Sequence, residues 1–216
     1  MKPEADVLER AAGALGLPLA GGQIDRLLRY VDLVHDRNRR VNLVSRRDTD
    51  RLVSYHLPDS LAAVRFVRPG DRVADIGSGA GLPGIPLAVA CPEAEMLLVE
   101  SSGKKCRFME AAIASLGLTN ARVLNARSEE LEPLGCRLVF SRVTGPLDRV
   151  LRQLHGHRDP GGTIVFYKSV GWEEAFNRAR PVLERLGLAV GSSVEVELPM
   201  AGIRRCFVIV EQQVAT

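Results

Sequence analysis

Lysine is scarce in this sequence: only Lys2, Lys104, Lys105 and Lys168 stand among 29 basic residues. The remainder are arginines, whose planar guanidinium suits phosphate recognition. Cysteine is equally thin. Cys91, Cys106, Cys136 and Cys206 form no C-x-x-C pair and have no histidine at ligand spacing, which argues against a zinc module or disulfide scaffold and for reduced, partly buried thiols. No metal is expected. Six Phe, three Tyr and one Trp are too few for an extended base-stacking platform. No apolar run approaches the roughly 18 residues of a membrane span. Met1-Lys2-Pro3-Glu4-Ala5-Asp6 has no basic region leading into an apolar stretch, so a cytoplasmic protein without a membrane partner is expected. Internal repeats and low-complexity tracts are also missing. What is present is 216 residues, 46% hydrophobic and 25% charged, enough for one full domain and a small accessory. The net charge of +3 is too mild to announce a nucleic-acid partner by itself.

The first seventy residues read as helices. Val7-Leu8, Ala11-Ala12 and Leu15 recur at helical spacing before Gly16 and Pro18, and Ile24, Leu27-Leu28, Val31 and Val34 mark a second segment. From Gly70 the pattern turns to short apolar runs separated by helical stretches. Strands are expected near Arg72–Ile76, Met96–Val99, Ala121–Asn125, Leu138–Ser141 and Thr163–Tyr167, with helices near Gly84–Ala90, Lys104–Leu116, Pro146–His155 and Trp172–Leu186. Two β-rich runs, Leu188–Leu198 and Arg205–Glu211, then read as an antiparallel hairpin. The whole is expected to be an α/β, Rossmann-like, mostly parallel seven-stranded sheet of the class I methyltransferase type. Residues 1–69 would form an N-terminal helical accessory and 70–216 the cofactor-binding domain.

Asp75-Ile76-Gly77-Ser78-Gly79-Ala80-Gly81 is a strand running into a turn with alternate glycines, followed by Pro83 and Pro86, which suit a helix start. Such a loop bares backbone N–H groups to a ligand, although a tight turn without a ligand explains the glycines as well. A dinucleotide loop G-x-G-x-x-G counted from Gly77 would need glycine at position 82, where Leu82 stands. That argues against a nicotinamide oxidoreductase. Asp75 before the loop suits a ligand with an ammonium group, and S-adenosylmethionine offers an ammonium, a carboxylate and a ribose. Glu100, nineteen residues after Gly81 at the end of the next strand, is suited to accept from both ribose hydroxyls. Ser128 and Glu129 follow the third strand, where polar groups meet an adenine or merely cap a helix.

Between Arg37 and Arg51 lie six arginines and two aspartates, a concentration of charge suited to RNA phosphates and equally to a solvated helix face. Arg37, Arg39, Arg40, Arg46 and Arg47 are the RNA candidates there. Lys104, Lys105 and Arg107 open a helix, an electrostatically poor place for cations, and join the set with Lys168. His56, Asp59 and Ser60 have the residue types of a hydrolase triad, but their spacing supplies no nucleophile elbow. They are read instead as bracing the accessory helices against the cofactor domain or bordering the target pocket.

Asp75–Leu87, with its G-L-P-G-I-P-L extension, together with Glu100-Ser101, Lys104-Lys105, Asn38–Leu43, His56-x-x-Asp59-Ser60-Leu61 and Ser141-Arg142, resembles the bacterial small-subunit ribosomal RNA guanine-N7 methyltransferases, RsmG or GidB. The resemblance implies cofactor contacts at Gly77, Gly79, Leu82, Glu100, Ser128, Glu129 and Arg142, the last also in an orienting role. It implies S-adenosylmethionine as cofactor and 16S rRNA of the small ribosomal subunit as partner, with methylation at guanine N7 in the 530-loop region; separately, a monomer is expected. N7 carries a lone pair and no proton, so no catalytic base is expected. The chain departs from the family pattern at Arg37, Pro58, Val143 and Ser169. A small-molecule methyltransferase and a non-catalytic RNA-binding protein on the same fold are the alternatives.

Overall fold

Three short stretches of aliphatic residues build the middle of the molecule, because strands covered on both faces need apolar side chains on both. The computed structural model describes residues 3–142, 145–199 and 201–213, apart from the side chains of Pro3 and Arg46. Along the chain run α1 (Pro3–Ala14), α2 (Gly21–Asn38), α3 (Arg46–Thr49), a π-helical turn (Leu52–His56), α4 (Leu57–Leu61) and a 3-10 turn (Ala62–Phe66). The sheet region follows with β1 (Arg72–Ile76), α5 (Gly84–Ala90), β2 (Glu95–Glu100), α6 (Gly103–Leu116), β3 (Ala121–Asn125), β4 (Cys136–Ser141), α7 (Leu147–Leu154), β5 (Arg158–Lys168), α8 (Glu173–Arg185), β6 (Leu188–Leu198) and β7 (Ile203–Gln212).

The strands lie in the order β3-β2-β1-β4-β5-β7-β6. The first five are parallel, and β7 runs antiparallel to both β5 and β6. This is the class I methyltransferase architecture expected from the alternation of strands and helices and the closing hairpin. The chain leaves β1 toward β2 and later crosses back to β4, so a crevice opens outside the carboxyl ends of β1 and β4. Ile76 is level with Val99 and Ser141, and Glu100 with Asn125. The residues that follow these strands therefore emerge along one edge.

Strand alternation divides the core. Val73 of β1 joins a cluster with Ile85 and Leu87 of α5, Phe108 and Met109 of α6, and Leu27, Tyr30 and Val34 of α2. Ala74 and Ile76 belong to the opposite cluster, with Val150 and Leu151 of α7 and Phe176 of α8. The N-terminal helices thus share the apolar layer of one sheet face. Residues Cys136 and Arg158 pair before a register shift, which starts β5 five residues earlier than the sequence suggests. Asp159-Pro160-Gly161-Gly162 has turn composition, yet Gly162 lies against β4 so tightly that a Cβ there would stand 2.6 Å from the Cys136 carbonyl oxygen. Among the described residues, no helix is long and apolar enough to cross a membrane.

Candidate cofactor site and basic rim

After β1 the backbone turns over β2: the N–H groups of Gly77 and Ser78 donate to the Val99 carbonyl at 2.9 and 3.1 Å. Gly81 and Leu82 then donate back to the Ser78 carbonyl, closing the loop onto α5. Gly81, at φ +91, admits no side chain, because a Cβ would meet Ile85 Cδ1 at 2.5 Å. Gly79, at φ +61, would bring a Cβ only into ordinary contact with the Gly77 carbonyl oxygen at 3.9 Å, and its N–H donates to Oε2 of Glu100 at 3.0 Å. Oε1 of Glu100 accepts from the Ser102 N–H at 2.9 Å. Each carboxylate oxygen keeps a lone-pair direction for a further donor.

Two residues hold the loop from beneath. Asp75 is buried, with Oδ2 accepting the Gly84 N–H at 3.0 Å and Oδ1 without a hydrogen bond. Burial pushes its carboxyl up to about 6, against the opposing effect of the Gly84 bond. Tyr30 of α2, wholly buried, donates its phenol O–H to the Ala80 carbonyl at 2.8 Å. Nothing in the spacing of α2 distinguished Tyr30 from an ordinary core aromatic.

Gly77, Glu100, Ser128 and Glu129 line one open cleft, joined by Gln153 of α7. Gly79 reaches it through its bond to Glu100. Asp75 and Leu82 lie under the loop, both buried, rather than in the cleft wall. Arg142, just past β4, stands apart in an ionic cluster. Its Nη2 lies 3.2 Å from Oδ2 of Asp59 and 3.4 Å from Nδ1 of His56, while its Nη1 is buried without a hydrogen bond.

Asp59 is fully buried between two guanidinium groups, for Oδ1 also accepts from Nε of Arg205 at 2.6 Å. Arg205 also donates to the Lys168 carbonyl at 3.1 Å and to Tyr55 Oη at 2.8 Å. Burial works against its charge, and Asp59 more than offsets that effect. The Ser60 hydroxyl donates to the His56 carbonyl at 2.7 Å, and His56 Nε2 faces Asp48 at 3.3 Å. These bonds tie α4 to β7 and to the residue after β4, with no hydrolase geometry. Arg205, 146 residues from its partner, had no signal in the sequence.

The basic residues fall into groups. Arg37, Arg39, Arg40 and Arg107 line a groove of about 490 Å³ between the end of α2 and α6, with Leu33 and Phe108 in its wall. Asn38 shapes this rim: Oδ1 accepts from the Leu43 and Val44 N–H groups, and Nδ2 donates to the Val44 carbonyl and Thr49 Oγ1. Lys104 and Lys105 lie on the first turn of α6. Arg47 is exposed on α3, whereas the Arg46 side chain and Val143 lie outside what is described. Lys168 is not part of the groove. Its Nζ stands 5.5 Å from the Phe166 ring centre, and burial lowers its pKa. Among the described residues, no group of three His, Cys, Asp or Glu side chains is arranged to hold a metal.

Residues 23–196 match the family described as rRNA small subunit methyltransferase G. A protein of Ralstonia nicotianae named Ribosomal RNA small subunit methyltransferase G is 43% identical over 198 residues, covering 87% of this chain and 84% of its own length. The protein of that name from Stenotrophomonas maltophilia K279a is 44% identical over 168 residues, 77% of each chain. Among solved structures, the M. jannaschii TYW2 complex with AdoMet superposes with a TM-score of 0.60 at 14% identity, covering 73% of this chain and 76% of that one. A SAM-dependent methyltransferase from Aquifex aeolicus superposes at 0.57 with 20% identity, covering 76% and 93%. At these identities the two superpositions speak for the fold.

Proposed function

Because the chain belongs to the rRNA small subunit methyltransferase G family, we propose that it methylates N7 of one guanine in the 530-loop region of small-subunit ribosomal RNA. The coarser activity, methylation of ribosomal RNA with S-adenosylmethionine as donor, follows from membership of the family. S-adenosylmethionine supplies an electrophilic methyl group on a sulfonium. The observation that carries the reading is the contact between Gly79 N–H and the Glu100 carboxylate, which puts the glycine loop and an acceptor suited to ribose hydroxyls in one cleft with Ser128 and Glu129.

The residues present fit that donor. Glu100 has oxygens with capacity for two hydroxyls, and the unbonded Oδ1 of buried Asp75 suits an ammonium group. At Gly79 a Cβ would meet only the Gly77 carbonyl oxygen, at 3.9 Å, and the bare glycine lets a ligand approach the backbone. Leu82, under the loop, and Arg142, whose Nη1 has no hydrogen bond, are proposed to meet the parts of the donor that extend beyond this cleft. The chain's task is orientation, since guanine N7 has a lone pair and no proton to remove; holding the two reactants in line accounts for the acceleration. Arg37, Arg39, Arg40, Arg46, Arg47, Lys104, Lys105, Arg107 and Lys168 are proposed to hold RNA phosphates. Residues 1–69 are proposed as an accessory that steadies the glycine loop through Tyr30, and the protein as a cytoplasmic monomer.

Incubation with isotopically labelled S-adenosylmethionine and small subunits from a strain lacking the modification, followed by nucleoside analysis, tests the assignment. Label in 7-methylguanosine from the 530-loop region is expected. Label in another nucleoside, or in none, would overturn the N7 assignment.

A further inference from the structure

The turn after β3 is held in place by residues that belong to another part of the chain. Ser128 Oγ donates to Oε2 of Glu129 at 3.0 Å, a bond between neighbours that leaves the pair free to move together. Two side chains from α7 and the turn after it remove that freedom. Gln153 donates its amide nitrogen to Oε1 of Glu129. His157, 4% exposed, places Nε2 at 3.0 Å from the Ser128 carbonyl oxygen. A carbonyl only accepts, so Nε2 carries the proton and the buried, unbonded Nδ1 carries the lone pair. Both residues are without a role in the reading of the site given above.

Gln153 does more than support. It lines the cleft beside Glu100, Ser128 and Glu129. A carboxylate only accepts, so the amide nitrogen must face Glu129, which leaves the amide oxygen as the free polar atom of Gln153. With the Glu129 carboxylate, that end of the cleft is rich in acceptors. Acceptors there welcome an exocyclic amino group, as on adenine, and oppose the carbonyl of a 6-oxopurine. An acceptor set against an acceptor forms no hydrogen bond.

We infer that Gln153 is a specificity-determining residue that selects a 6-aminopurine at the nucleoside end of the cleft, and that His157 is a positioning residue that fixes the Ser128–Glu129 turn. The inference rests on the proposal that this cleft holds the adenosyl group of the methyl donor. Only this chain's own atoms enter it: one amide oxygen, one carboxylate and one imidazole donor.

Calorimetry on the ligand-free protein with S-adenosylhomocysteine and with S-inosylhomocysteine, which differ in the purine six-substituent and the proton on N1, separates the possibilities. The wild type is expected to favour the adenosyl compound by about tenfold or more, the size of one lost hydrogen bond to a charged or polar acceptor. Gln153→Met keeps the length and apolar contact of the side chain but lacks the amide, and should bring the two affinities to within about threefold of each other. His157→Leu should weaken both ligands by a similar factor, whereas His157→Gln, which retains a donor near the Nε2 position, should stay within about threefold of wild type. The Michaelis constant for RNA should be unmoved in all three. An undiminished adenosyl preference in Gln153→Met, with normal binding of S-adenosylhomocysteine, would sink the role of Gln153 and leave the cofactor reading intact. Equal weakening in His157→Leu and His157→Gln would sink the role of the imidazole donor. Absence of heat from wild type with S-adenosylhomocysteine would remove both the inference and the reading beneath it.

Discussion

The backbone N–H of Gly79 and the side chain of Glu100 are hydrogen-bonded at 3.0 Å across 21 residues. The bond joins the turn after β1 to the end of β2. It therefore holds the carboxylate in place before any ligand arrives, and preorganisation of this kind favours binding by lowering the ordering cost.

Substitution of Glu100 should act on the small ligand and spare the RNA. Glu100→Ala removes the acceptor for two hydroxyls and for the Gly79 and Ser102 N–H groups. The dissociation constant for S-adenosylhomocysteine is expected to rise by at least about tenfold, with Glu100→Gln between it and wild type. RNA retention on a filter in the absence of cofactor should be unchanged. An unaltered calorimetric affinity in Glu100→Ala would remove Glu100 from the ribose subsite.

Much of this site was legible because the determinants are local. Glycines at 77, 79 and 81 announce positive φ, and all three have it; Glu100 stands at the end of a short aliphatic run that can only be a covered strand. The length of β5 was hidden because Gly161 and Gly162 look like a turn, while the close approach that requires Gly162 is to β4. The partners Tyr30, Arg205, Gln153 and His157 were hidden for a related reason. Each acts across 24 residues or more, and no periodicity or spacing encodes a single side-chain bond over that range. Arg142 illustrates the limit from the other side: its place at the end of β4 was readable, but its commitment to Asp59 was not.

Asp59 should be among the positions whose change costs the fold most. It is fully buried and paired with Arg142 and Arg205. Asp59→Ala would leave both guanidinium groups without their counter-ion, a loss of about 3–5 kcal/mol for a broken buried pair. Denaturant titration should show a lower midpoint at unchanged slope. Asp59→Asn keeps one acceptor and should lose less. A midpoint equal to wild type in Asp59→Ala would mean that water reaches the cluster and screens it.

Asp75 ties cofactor affinity to pH. Its carboxyl is pushed up to about 6 by burial, above the ordinary carboxylate value, so the ligand-free fold favours the protonated form. Its contribution to stability is complete below the unfolded value near 4 and is lost as pH rises through about 6. An ammonium group reverses the preference, since it needs the carboxylate; Arg142 and Glu100, which act on Asp75 with opposite signs, do not change that direction. Affinity for S-adenosylhomocysteine is therefore expected to fall as pH drops from 7 to 5, with proton release on binding near pH 6. Asp75→Asn should flatten this profile and, without ligand, raise the melting temperature relative to wild type at pH 8. A wild-type affinity that is constant between pH 5 and 7 would separate Asp75 from the ammonium.

Charge on the α2–α6 rim should govern RNA affinity and its salt dependence together. Arg37, Arg39, Arg40 and Arg107 share one groove, and Nε of Arg37 is buried without a hydrogen bond, a donor that a phosphate oxygen would satisfy. Each phosphate contact removed should lower the slope of log affinity against log salt by about 0.7–0.9. Arg40→Ala and Arg107→Ala are the singles of choice, because both side chains are exposed and their removal leaves the core untouched. The double variant should lose about twice the slope of either single, with the affinity for S-adenosylhomocysteine unmoved. Lys168→Ala distinguishes a broad field from a groove: Lys168 lies apart from these arginines, against Phe166, so the proposed phosphate contact there predicts a lowered slope, and an unchanged slope would confine the phosphate path to the groove. Equal slopes for wild type and the Arg40/Arg107 double variant would move the RNA path away from this rim, and a lowered slope in Lys168→Ala alone would move it to the far end of β5.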